Sequence, residues 1–252
     1  MTFSTYINET EGPPARLPLT HATDCIGFHS IMTAQAITLP EKCKVFNREI
    51  VYSFYGRPAY RVNFKDDAAH SELAYAPVCF VLNPSEAPVD AIYPFDTGGF
   101  ERYRPFIHHN LTLEDFRLPG DIGFAQKIVA RFFGSNRRYY DAAAHGAADV
   151  PVLEFAASAY NSLIQSQGRG GDDRNSCIEV QMSPPLDIRN SVLAVAMPVK
   201  MADNTAILSY IKSINATILP YRIKDRFRPI ELAGLIDHLV ENFYGNAGYL
   251  ND

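Results

Sequence analysis

Three short segments, far apart in the chain, each set one polar side chain at the end or in the middle of an apolar, strand-like run. They are Leu19-Thr20-His21-Ala22-Thr23, Phe54-Tyr55-Gly56-Arg57-Pro58 and Cys177-Ile178-Glu179-Val180-Gln181. Successive strand residues point to opposite faces of a sheet, so Glu179 projects from the face opposite to Ile178 and Val180. At 252 residues the chain is long enough to bury one large core. We read it as a single domain, residues 1–252, with an insertion over residues 83–150.

Composition narrows the class. With 47% apolar and 20% charged residues the chain is an ordinary globular protein and not a disordered one. No window approaches the roughly 18 consecutive apolar residues that a spanning helix needs. The first fourteen residues are polar and lack an apolar signal core, so a cytoplasmic address with no membrane partner is expected. Cys25, Cys43, Cys79 and Cys177 form no C-x-x-C pair and no His/Cys cluster, so reduced, buried thiols and no metal are expected. The net charge of -5 argues against indiscriminate nucleic-acid binding. Two segments are locally basic: Glu101 to Tyr140, with seven Arg/Lys against four Asp/Glu, and Arg222, Lys224, Arg226 and Arg228 against Asp225. Either can face phosphate, and either can be a solvated face.

Periodicity places the segments on elements. A short strand over 16–20 is expected as the first ordered element, then a helix from Asp24, capped by Asp24 or Thr23 and ended before Pro40. Glu49 to Tyr55 reads as a strand stopped by Gly56 and Pro58, and Tyr75 to Leu82 as a strand buried on both faces. Helices are expected at Gly123 to Phe133, from Pro151 to Gln165, near Thr205 to Ile214 and from Pro229 to Tyr244. Strands are expected at Ser176 to Gln181 and Val192 to Val199. Asp96-Thr97-Gly98-Gly99 is not a phosphate loop, because no lysine follows and no helix pattern begins there. Arg137-Arg138-Tyr139-Tyr140 combines cations and rings in the manner of single-stranded nucleic-acid sites.

In this order, a strand histidine, an aromatic strand leading to a basic residue and a late strand glutamate resemble the mono-ADP-ribosyltransferase superfamily. Within it the pattern is most similar to the DarT-type toxins, which modify nucleic acid. Those begin with a strand ending His-x-Thr, then a helix, then a Phe-Tyr strand leading into an arginine, and finish with a catalytic glutamate. The resemblance leaves the middle of the chain unmatched. It implies an α+β fold, with two small packed β-sheets flanked by helices, and NAD as co-substrate.

Cleaving the nicotinamide–ribose bond passes through an oxocarbenium-like ribose, which a carboxylate beside the developing charge stabilises. The resemblance gives that role to Glu179. It gives His21 to the ribose hydroxyl of the nicotinamide half, although a strand histidine satisfied by neighbouring backbone is the plainer alternative. Thr23 contacts the same ribose or caps the helix. Tyr55 and Tyr60, ahead of Tyr52, are the candidates to stack on nicotinamide. Arg57 is expected to pair with the pyrophosphate or orient the reactive ribose, with Arg61 as its rival. Arg169, Asp172, Asp173 and Arg174, in the Gly-rich loop before the glutamate strand, are candidates to contact the target. Cys177 stands where arginine-modifying members carry Gln or Glu, a departure that weakens arginine as the acceptor. The implied activity is transfer of ADP-ribose to a macromolecule, DNA or RNA favoured over protein, by a toxin or antiphage effector with a neutralising antitoxin. NAD hydrolysis, or a binding module that keeps the fold without transfer, are the alternatives.

Overall fold

The computed structural model describes residues 2–38, 42–60, 72–145, 149–166, 174–224, 227 and 229–251. The strands are β1 (Leu19–Asp24), β2 (Ala36–Ile37), β3 (Val51–Tyr55), β4 (Pro77–Leu82), β5 (Val89–Tyr93), β6 (Leu118–Pro119), β7 (Glu179–Met182), β8 (Leu186–Asp187), β9 (Val192–Pro198) and β10 (Thr217–Tyr221). Eight of them form one mixed sheet in the order β10-β9-β4-β1-β3-β7-β5-β6, and β2 pairs with β8. The fold is α+β.

The expectation of two small sheets needs correcting, because one ladder runs continuously through eight strands. That ladder is nevertheless nearly cut at one seam. β1 meets β3 only at Leu19↔Tyr55 and Thr20↔Phe54, whereas β1 follows β4 from Leu19 to Asp24. Beyond Thr20 the two strands part. β3 then continues along β7, with Phe54 opposite Glu179 and Tyr52 opposite Gln181. The turn that ends β3 is possible because Gly56 takes a φ of +69° and donates its N–H to the Pro18 carbonyl at 2.8 Å. A Cβ there would also sit 2.6 Å from Leu17 Cδ1, so both backbone and space favour glycine.

β4 is buried along its whole length, as expected of a strand covered on both faces. Residues 83–150, read from the sequence as an insertion, supply β5 and β6 to the sheet and much of the aromatic core. Phe95 packs edge-on against Tyr103 and Phe116, and Phe132 against Tyr160. Such pairs are worth about 0.5–1.5 kcal/mol each beyond the area they bury.

Several elements differ from expectation. A helix, Phe3–Asn8, precedes the first strand, capped by Thr2 and burying Phe3, Tyr6 and Ile7. β1 runs on to Asp24, past the expected end at Thr20. The following helix is Cys25–Ala34, with the Asp24 carboxylate accepting from Gly27 N–H. The helix expected from Pro151 begins only at Phe155. Pro151 instead accepts from Glu154 N–H in a turn that leaves Val152 and Leu153 exposed. β10, parallel to β9, has no counterpart in the sequence reading.

Candidate active site

The parting of β1 from β3 opens a cavity of about 350 Å³ lined by His21, Ala22, Thr23, Asp24, Tyr52, Phe54, Ala59 and Tyr60. His21, Thr23 and Tyr60, picked out in the sequence, thus meet at one place, with Tyr52 beside them. His21 Nδ1 lies 2.7 Å from the Tyr52 carbonyl oxygen, across the opening seam. A carbonyl only accepts, so Nδ1 carries the hydrogen and Nε2 keeps its lone pair. Loss of hydration pushes the His21 pKa down, against the Tyr52 carbonyl, so the ring is neutral at neutral pH. The Nε2 lone pair of a neutral imidazole can accept a hydrogen bond from a hydroxyl group. Thr23 is held close to the helix Cys25–Ala34: a Cβ on Gly27 would fall 2.0 Å from Thr23 Oγ1.

Glu179 lies two strands from β1. Thr20, Phe54, Glu179 and Tyr93 are successive cross-strand partners and form a row over β1, β3, β7 and β5. At a spacing of about 4.8 Å per strand, the β1 and β7 backbones are about 10 Å apart. The carboxylate is fully buried and does not line the cavity. Its Oε2 accepts from Thr97 N–H at 2.9 Å, and its Oε1 from Thr97 Oγ1 and Gln181 Nε2, both at 2.8 Å. Burial pushes its pKa up to about 7, with the nearby Asp96 adding to the rise and the Gln181 and Thr97 hydrogen bonds opposing it. The result is a carboxyl that changes charge near neutral pH.

Other candidates fall elsewhere. Tyr55 faces the core: it is fully buried, and its hydroxyl accepts from Leu17 N–H at 2.9 Å. It does not line the cavity, whereas Tyr60 and Tyr52 do. Arg57 is buried, donates to Ser176 Oγ at 2.9 Å and lies over the Tyr139 ring. Its carbonyl accepts from Thr20 Oγ1 at 2.8 Å, and it stands behind the cavity wall. Arg174 is also buried, with Nη1 3.5 Å from the Asp96 carboxylate, where it anchors the approach to β7. Arg61, Arg169, Asp172 and Asp173 lie outside the described residues. Tyr139 and Tyr140 are core residues whose hydroxyls serve backbone, Tyr139 bridging Tyr55 O and Ile178 N, so neither is placed to stack a base.

Thr97 is the residue the sequence reading passed over. It sits in a short 3-10 turn, Thr97–Gly99, that Asp96 caps by accepting from Gly98 N–H. The turn aims two donors, Thr97 N–H and Oγ1, at Glu179. Its Asp-Thr-Gly-Gly composition marks a turn, but nothing local names a carboxylate eighty-two positions on as its partner.

No protein-family model, curated protein or solved structure matches the chain. Among the described residues, no helix is long and apolar enough to cross a membrane.

Proposed function

We propose that the protein is an ADP-ribosyltransferase that binds NAD at the β1/β3 seam, cleaves its nicotinamide–ribose bond and transfers ADP-ribose to a macromolecule. The observation that carries this reading is the seam itself. One parting of the sheet gathers His21, Thr23, Tyr52 and Tyr60 around a cavity, with Glu179 on the next strand but one. The nicotinamide ring stacks on Tyr60 or Tyr52, and His21 Nε2 accepts from a ribose hydroxyl. The ionised Glu179 carboxylate stabilises the positive charge that develops on the ribose. For Glu179 to do so, the Phe54 side of its pocket must open when NAD enters. Nucleic acid is the favoured acceptor, and toxicity held in check by a neutralising partner is the natural setting. Both rest on resemblance to the DarT-type toxins.

A second reading has one observation in its favour. Glu179 is buried and accepts three hydrogen bonds, which suits a module that binds NAD without reacting. Incubating the purified protein with labelled NAD and cell extract separates the readings. Label in nuclease-sensitive or protease-sensitive material identifies the transferase and its acceptor class. Free ADP-ribose alone identifies a hydrolase, and NAD affinity without nicotinamide release identifies the binding module.

A further inference from the structure

Gln181 and Arg48 join Glu179 to the surface through an unbroken chain of polar contacts. Gln181 is fully buried, two residues along β7 from Glu179 and on the same face. Its Nε2 donates to Glu179 Oε1 at 2.8 Å, and its Oε1 accepts from Arg48 Nη2 at 2.8 Å. The orientation of the amide is forced, because a guanidinium only donates and a carboxylate only accepts. Turning the amide over would set donor against donor at one end and acceptor against acceptor at the other.

Arg48 is itself held. Its Nη1 pairs with Asp90 at 3.2 Å, and Asp90 also accepts from Ser183 Oγ at 2.6 Å. Asp90 is the extra residue of a β-bulge: Val89 pairs with Met182 and Ala91 with Gln181, leaving Asp90 unpaired between them. Bulges re-aim a side chain, and this one meets Arg48 at the wall of a second cavity of about 530 Å³.

We propose that Gln181 and Arg48 are positioning residues for Glu179: Arg48 locks the Gln181 amide so that its N–H always faces the carboxylate, and Asp90 and Ser183 hold Arg48 in place. The proposal deepens the transferase reading and rests on it for the claim that the carboxylate acts. The other groups around the carboxyl are Thr97, Asp96 with its partner Arg174, and Tyr93, whose hydroxyl is pushed up to about 12 by burial, with Glu114 and Glu179 adding to the rise and Arg117 and Arg48 opposing it. Of these, Thr97 also donates to the carboxyl, its Oγ1 sharing Oε1 with the Gln181 amide.

The test follows the carbon-13 resonance of the Glu179 carboxyl through a pH titration, in wild type, Gln181→Met, Arg48→Met and the double variant. Circular dichroism checks the fold of each. Gln181→Met removes a donor to the charged form, so the Glu179 midpoint should rise by about one pH unit. Arg48→Met should raise it by less, and the double variant should match Gln181→Met alone, since Arg48 acts through the amide. An unmoved midpoint in Gln181→Met overturns the proposal. So does an Arg48 effect equally large in both backgrounds, which would make it a distant charge. Arg48 is partly exposed, so its variant remains informative if Gln181→Met fails to fold: an unchanged midpoint there overturns the lock. Nicotinamide release across pH, run beside these titrations, tests the underlying reading separately. Parallel movement of its acidic limb joins the two. Absence of release in wild type removes the catalytic claim while the titration still reports on the lock.

Discussion

The two sides of the Phe54 strand are built in opposite ways. On the β1 side the backbone parts, side chains are half-buried, and among the described residues His21 keeps one ring nitrogen unspent beside an open cavity. On the β7 side the ladder is closed, Glu179 is sealed, and its carboxylate takes three hydrogen bonds from Thr97 and Gln181. Binding a ligand needs room and incompletely satisfied polar groups. Holding a carboxyl whose charge changes near pH 7 needs burial and fixed donors. The two arrangements lie on strands on either side of β3, with Phe54 between them.

The sharpest way to break this comparison is to exchange tyrosines. Tyr55→Ala should cost about 3–5 kcal/mol of stability, because it empties a core position. Tyr60→Ala, at the cavity, should leave the melting temperature nearly unchanged while weakening NAD binding. Thermal melts and calorimetric titration with NAD check both halves.

The next effect comes from the charge on Glu179. Its pKa in the folded state, about 7, lies above its ordinary 4.5, so between those values the folded protein holds a proton that the unfolded chain releases. Stability therefore falls as pH rises through that window, by up to about 1.4 kcal/mol per pH unit from this group. Glu179→Gln removes the term. Whatever its offset, the stability of the variant relative to wild type should improve steadily from pH 4.5 to 7 and then level off. Parallel urea titrations that give a constant difference would mean the carboxyl is not buried as described.

Thr97→Val keeps the shape of the side chain but deletes the hydroxyl donor. It should cost about 2 kcal/mol at pH 8, where Glu179 is ionised, and less at pH 5, where it is protonated. On the open side, His21→Ala should weaken NAD about tenfold, equivalent to one lost hydrogen bond of about 1.4 kcal/mol. Because the His21 pKa is lowered, wild-type affinity should stay flat from pH 8 down to 6.5.

The open side was legible in the sequence and the closed side was not. His21, Thr23 and Tyr60 sit within or just beyond short strands whose apolar rhythm marks them, and Asp24 announces the helix that follows. Glu179 could be located, and its face deduced from Ile178 and Val180. Its burial could not, since that depends on Thr97 arriving from a turn eighty-two positions away and on β3 and β5 flanking β7, which only tertiary pairing fixes. β5, which flanks β7, hid behind Pro84 and Pro88 and a bulge at Asp90 that spoils the alternation. Arg57 and Tyr55 were misplaced because a strand and the turn ending it present residues to both faces. The left-handed turn at Gly56 sends Arg57 behind the wall, toward Ser176 and Tyr139.

The central claim is that Glu179 acts on NAD held at the seam, and nicotinamide release from labelled NAD tests it most directly. Purified wild type and Glu179→Gln are compared side by side, with cell extract present and absent. The account predicts release by wild type and a loss of about 10²–10³-fold or more in the variant, with NAD affinity retained within a few-fold. Equal release by both proteins, or none by wild type despite NAD binding, would contradict it and leave a cofactor-binding module with a structural glutamate.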